Sequence, residues 1–93
     1  MITSFRCKET EKIFSRFYSK KLPQHIQKTA MRKLWQIDAA IDINDLRVPP
    51  ANHLEALQKD RIGQFSIRIN DQYRICFKWT EGNAHDLEIV DYH

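Results

Sequence analysis

From Gln64 to Trp79 apolar and polar residues alternate, Gln-Phe-Ser-Ile-Arg-Ile and then Tyr-Arg-Ile-Cys-Phe-Lys-Trp, and the stretch from Asp86 to Tyr92 repeats the pattern. A period of two marks strands with one buried face, and a slip of one residue would turn a strand over. The stretch therefore reads as antiparallel hairpins. Three-residue turns at Asn70-Asp71-Gln72 and Glu81-Gly82-Asn83 keep apolar residues opposite apolar ones. Ile67 then faces Ile75, Phe65 faces Phe77, and Ile75 and Phe77 face Ile89 and Leu87. The same register sets Arg68 directly opposite Arg74 on the other face, with Lys78 further along. Like charges directly across a strand pair are unfavourable, so this pair suggests a polyanion as ligand.

Upstream the period changes. Ile2 to Phe5 fits a short first strand, and the spacing Ile13, Phe14, Phe17, Tyr18 predicts one apolar face of a helix that ends by Leu22. Pro23 suits the first turn of a second, longer helix with the stripe Ile26, Ala30, Leu34, Ile37, Ile41, which Met31 and Trp35 flank. Asn44, Asp45 and Pro49-Pro50 break the pattern before a short strand in Leu54-Glu-Ala-Leu57, and Lys59 to Gly63 forms a charged turn. Helices grouped before strands predict an α+β fold, with two N-terminal helices packed on one face of a small, largely antiparallel sheet of three to five strands. The opposite face is expected to stay open. No repeat or internal boundary interrupts residues 1–93, which read as a single domain.

A chain of 93 residues supports one modest core, which argues against a two-domain enzyme closing on its substrate. No apolar run approaches the roughly 20 residues of a membrane span, and the first residues lack the order of a signal peptide, so a cytoplasmic protein without membrane contact is expected. Cys7 and Cys76 are too far apart for a zinc knuckle or redox pair. His25, His53 and His85 lack the spacing of a metal site, and Gly63 and Gly82 cannot build a phosphate loop, so neither a metal nor a nucleotide cofactor is expected. Lys and Arg outnumber Asp and Glu nine to three in residues 1–41, and the balance reverses to six against nine in residues 42–93. The basic half can steer the chain to a phosphate backbone, although a solvated helix surface gives the same count. Lys12, Arg16, Lys20 and Lys21 are its densest cluster.

The run Pro49-Pro50 to Leu54-Glu-Ala-Leu, Asp60-Arg61, Gly63-Gln64, Ser66-Ile-Arg-Ile-Asn70, Tyr73-Arg-Ile and the closing Val90-Asp-Tyr-His93 resembles the HigB (plasmid maintenance killer) branch of the RelE-like toxins. The resemblance spans essentially the whole chain. It implies a RelE-like fold and a ribosome-dependent mRNA interferase that works without a metal. It also implies a HigA-type antitoxin, which neutralises the toxin and alone contacts operator DNA. Metal-free RNA cleavage requires a base for the 2′-hydroxyl, positive charge at the phosphorane and an acid for the leaving 5′-oxygen. On the resemblance, His93 is the acid or base, Arg74 stabilises the phosphorane, and Asp91 and Tyr92 orient or bind.

By parity Tyr92 shares the face of Arg74 and Arg68, while Asp91 turns toward the core side. Arg74 reads as outward-facing and free to grip two phosphate oxygens, so that its loss would leave the fold intact. Arg68, Lys59, Arg61 and Lys78 are the further RNA-binding candidates, and Lys12, Arg16, Lys20 and Lys21 are assigned to the ribosome. Where relatives often read Glu-Ala-Leu-Lys-Gly-Asp-Arg or place a histidine at the first of these positions, this chain has Glu55-Ala-Leu-Gln58-Lys59-Asp60-Arg61. Glu55 and Lys59 are thus alternative proton-transfer groups. Two other classes fit the residues: a non-catalytic RNA- or ribosome-binding module, and a subunit of an operon repressor. A helix-turn-helix reading frame immediately downstream would favour the toxin.

Overall fold

The computed structural model describes residues 1–92, so that His93 lies outside the described residues. Helix α1 spans Lys8–Phe14 and α2 spans Gln24–Ala39. Short 3-10 turns at Ile43–Arg47, Pro50–Asn52 and Lys59–Arg61 link them to strands β1 (Glu55–Ala56), β2 (Gln64–Arg68), β3 (Tyr73–Thr80) and β4 (Asn83–Asp91). The strands form one antiparallel sheet in the order β1-β2-β3-β4. Ile26, Ala30, Leu34 and Ile37 of α2 are buried with Ile67, Ile75, Phe77, Ala84 and Leu87 of the sheet, so the helices cover one face, as the α+β reading expects.

The β2–β3 register follows the alternation. Ile67 pairs with Ile75, Phe65 with Phe77 and Arg68 with Arg74, around a three-residue turn in which Asn70 Oδ1 accepts from the backbone N–H groups of Gln72 and Tyr73. Ile75 pairs with Ile89 as expected, but the second hairpin differs at its tip. Thr80 pairs with Asn83, leaving a two-residue turn in which Glu81 (φ 51°) and Gly82 (φ 81°) are both left-handed, the requirement of a type I′ turn. Asp86 (φ 55°) compensates as a bulge between Cys76 and Lys78 of the partner strand. The shorter turn and the extra residue cancel, so Ala84 and Leu87 both stay in the core.

The bulge also explains why Ile2 to Phe5 forms no continuous strand. The segment lies parallel to β4 with bridges at Ile2 to Ala84 and Phe5 to Leu87 only. Between them the Asp86 N–H donates to Ser4 Oγ at 2.9 Å, and Ser4 Oγ donates to Asp86 Oδ1 at 3.2 Å.

The first helix is shorter than its spacing predicts. It ends at Phe14 because Arg16 (φ 70°) takes the left-handed position of a Schellman motif: its N–H donates to the Ile13 carbonyl and that of Phe17 to the Lys12 carbonyl. Phe17 and Tyr18 consequently lie outside the core, exposed by 68% and 59%. Ile41 likewise falls beyond the end of α2 and is solvent-facing, since the capping box of Asp42 and Asp45 starts a new turn there. Pro23 is the N-cap of α2 and so precedes its first turn. Cys7 and Cys76 are free thiols.

Asn52 is fully buried and ties the Pro50–Asn52 turn to α2. Its Nδ2 donates to the Leu46 carbonyl and to Gln36 Oε1, both at 3.1 Å, and its Oδ1 accepts from Lys33 Nζ. Replacing it by alanine strands these groups, so Asn52→Ala should cost about 2–3 kcal/mol in urea unfolding with an unchanged m-value. Asp86 should contribute an acid-sensitive element. Its carboxyl is held below the ordinary carboxylate range, first by Lys78 and then by Ser4. A depressed folded-state pKa contributes stability above the unfolded-state value, and the contribution is lost as pH falls through the folded one. Asp86→Asn should therefore flatten the decline in melting temperature on acidification.

Candidate active site

The face of the sheet away from the helices carries one continuous row: Glu55 opposite Ser66, Ser66 opposite Cys76, and Cys76 opposite Glu88. Arg68, Arg74 and Val90 form the next row. Arg74 leaves its own row and reaches back across β2. Its Nε donates to Ser66 Oγ at 2.7 Å, and Nη2 donates to the Ser66 carbonyl at 3.3 Å and to the His53 carbonyl. Nη1 lies 3.7 Å from Glu55 Oε1, and Cζ lies 5.9 Å from the centre of the Tyr92 ring.

Arg74 is therefore only 8% exposed, which corrects the expectation of an outward arginine on an open face. A long side chain on the outer face could reach an unpaired carbonyl, and His53, left-handed at φ 44° after its proline turn, supplies one. Two edges of the guanidinium are used in holding the group still. Among the described residues, Nη1 makes no hydrogen bond and has Glu55 as its ion-pair neighbour. Ser66 is the Arg74 partner that residue type alone does not reveal. Its signal is positional, an even-numbered β2 residue one register step from Arg74.

Arg68 is bonded to Asp71, so each arginine of the cross-strand pair has its own acceptor. Their juxtaposition therefore calls for no ligand by itself. Arg61 Nη1 meets Glu88 Oε1 at 2.7 Å, and this bond raises the arginine's affinity for its proton. Burial raises the Cys76 thiol pKa, an effect that Arg61 and Arg74 only partly oppose, so the sulfur stays a neutral thiol.

At the end of β4, Asp91 is exposed and accepts from Gln72 Nε2 at 3.0 Å, while the Tyr92 N–H donates to the Gln72 carbonyl at 2.6 Å. Asp91 thus stands at the sheet margin, not against the core. Tyr92 is on the face of Arg74, as parity requires. Glu55 is half-exposed at the rim of the same cluster.

The other candidates lie apart. Lys59 is exposed and left-handed (φ 56°), a conformation that glycine adopts more readily than lysine. Lys78 pairs with Asp86 at 3.3 Å, four residues along β3 from Arg74. In the N-terminal cluster Lys12 meets Glu9 at 3.3 Å and Arg16 stacks over Trp35 at 4.7 Å, while Lys20 and Lys21 face solvent on the connector between the helices. The structure thus gathers Arg74, Glu55, Tyr92, Arg61 and, at the margin, Asp91. It leaves Lys78 and the N-terminal cluster elsewhere.

Over residues 3–93 the chain matches the family described as the RelE-like toxin of type II toxin-antitoxin system HigB. Toxin HigB-1 of Vibrio cholerae is 44% identical over 63 residues, 68% of this chain and 66% of that protein. An uncharacterized protein of Haemophilus influenzae is 45% identical over 67 residues, 72% of this chain and 66% of its own, so the matches span just under two thirds of both relatives. Endoribonuclease HigB of Proteus vulgaris is 31% identical over 93 residues, with both chains fully covered. Among solved structures, YoeB in the heterotetrameric YoeB-YefM toxin-antitoxin complex of Staphylococcus aureus superposes with a TM-score of 0.62 at 21% identity, over 100% of this chain and 95% of that one. The YoeB dimer of the same organism gives 0.60 at 22% identity, over 99% and 94%. At such identity the likeness speaks for the fold, and it agrees with the sheet and helices described above. The chain belongs to the RelE-like HigB toxins of type II toxin-antitoxin systems.

Proposed function

We propose that this chain is a ribosome-dependent mRNA endonuclease that needs no metal, acts in the cytoplasm and is neutralised by a HigA-type antitoxin through which operator DNA is contacted. The observation that carries the reading is the Arg74 guanidinium, fixed by Ser66 and His53 with Nη1 turned to the half-exposed Glu55. A cation held rigidly in a partly desolvated site stabilises developing phosphorane charge without reorganising during the reaction.

In the proposed reaction a base removes the proton of the 2′-hydroxyl, and the 2′-oxygen forms a bond to phosphorus. The bond from phosphorus to the 5′-oxygen then breaks, and an acid protonates that oxygen to give a cyclic phosphate and a 5′-hydroxyl. His93 and Glu55 are the assigned proton carriers. Arg74 neutralises the phosphorane, Tyr92 holds a base or phosphate, Asp91 orients His93, and Arg61 adds positive charge. Arg68, Lys59 and Lys78 guide the RNA strand toward this cluster. Glu55, Asp91 and Tyr92 all face solvent, so alignment of the mRNA is assigned to the ribosome, since much of a rate enhancement comes from holding reactants in place. Lys12, Arg16, Lys20 and Lys21 are assigned to ribosomal RNA phosphates.

Removing His93, or making Arg74→Lys, should each slow cleavage of mRNA on programmed ribosomes by on the order of 100-fold or more. Lysine keeps the charge but cannot reproduce the guanidinium fork against Ser66 and His53. Arg74→Ala should in addition lower stability by about 1–3 kcal/mol, because it leaves those acceptors buried and unmet. Full activity of either of the first two variants, or efficient cutting of naked mRNA, would contradict the assignment.

A further inference from the structure

The early end of α1 leaves Phe17 and Tyr18 on the connector to α2, 68% and 59% exposed. The connector is nonetheless held firmly. The Ser19 N–H donates to Gln27 Oε1 at 3.1 Å, Gln27 Nε2 donates to the Ser19 and Leu22 carbonyls at 2.7 and 2.9 Å, and the Ser19 hydroxyl donates to Glu9 at 2.7 Å. Phe17 lines two clefts of about 360 and 340 Å³. Ile13, Tyr18 and Met31 form the apolar wall of the first, and Lys8 and Lys12 border the second. Four basic side chains and one acidic one, Glu11, line the two together, and Lys20 and Lys21 stand on the same connector.

Two large apolar residues held in solvent by a fixed loop, beside clefts sized for side chains, have the composition of a protein-binding hot spot. RNA would use the lysines and could stack bases on the two rings, but it would gain little from the Ile13 and Met31 wall behind them, which suits apolar side chains of a protein. The positive rim selects a negatively charged protein segment.

We propose that the antitoxin docks on this connector, through a segment that seats apolar side chains around Phe17 and sets acidic residues against Lys8, Lys20, Lys21 and Lys28. The proposal rests on the toxin-antitoxin assignment and names the surface that the partner covers. That surface lies on the helical side of the molecule, so the antitoxin leaves Arg74 and Tyr92 untouched and overlaps the lysines assigned to the ribosome.

The test uses the intact toxin, freed from its co-expressed complex, and the separately purified protein encoded beside its gene. Their dissociation constant should rise on the order of 100-fold in the double variant Phe17→Ser, Tyr18→Ser, the effect expected for hot-spot residues. The double variant Lys8→Gln, Lys28→Gln should weaken binding by about tenfold at low salt and much less at high salt. In the Phe17 and Tyr18 variant, ribosomal mRNA cleavage should stay within about threefold of the unaltered chain, since the lost groups make no phosphate contact. Its thermal melt should match as well, because both residues face solvent. Unchanged antitoxin affinity in the aromatic variant would overturn the docking surface. Loss of ribosomal cleavage with antitoxin affinity intact would overturn it too, and would show an RNA-binding surface instead. If the co-encoded protein fails to bind even the unaltered chain, the toxin-antitoxin assignment itself fails.

Discussion

The hydrogen bonds from Arg74 to Ser66 and to the His53 carbonyl are the interaction around which the rest of the outer face is arranged. A guanidinium on a sheet surface samples many rotamers, and a catalytic cation that must first be ordered gives up part of its effect. Here Ser66, in the middle of β2, and His53, at the end of a proline turn, fix the group from two directions. The turn is fixed in its own right, because buried Asn52 bonds to Leu46, Gln36 and Lys33. The chain of support therefore runs from α2 through Asn52 and His53 to the guanidinium. Positions distant in sequence thus hold Nε and Nη2, and leave Nη1 facing Glu55.

This arrangement divides the molecule into two working sides. On one, the sheet presents a fixed cation with a carboxylate and a phenol beside it. On the other, the helices and their connector present lysines and a pair of exposed aromatics. A small chain can hold both because its core lies between the layers and requires neither outer surface. The division also shows why the basic excess of the first 41 residues is uninformative about chemistry. It sits with the helices, while the cations nearest the proposed reaction, Arg74 and Arg61, belong to the half with the acidic excess.

Much of the sheet was legible from alternation alone. Alternation fixed which side chains share a face, and a three-residue turn then set Phe65 opposite Phe77, Ile67 opposite Ile75 and Arg68 opposite Arg74, as the structure has them. What escaped the reading is local backbone chemistry at unusual residues. Arg16 occupies a left-handed position that sequence patterns assign to glycine, and its stacking on Trp35 offsets part of that conformational cost, so the helix stops where no stop signal is written. Asp86 forms a bulge without a glycine, supported by Ser4 from the other end of the chain. A two-residue turn plus that bulge mimics the three-residue turn well enough to place the same side chains in the core. The burial of Arg74 was hidden for a different reason. Parity states which face a side chain leaves from, but not that a carbonyl twenty-one residues upstream lies within its reach.

Both sides of the molecule serve one account, in which the chain cuts mRNA only while the ribosome holds it. Expression of the intact protein from an inducible promoter, followed by mapping of new mRNA 5′ ends, tests this most directly when the same transcript is compared with and without its start codon. The account predicts 5′-hydroxyl ends confined to the translated frame and absent from the untranslated copy. Equal cutting of both transcripts, or growth arrest without new ends, would contradict it.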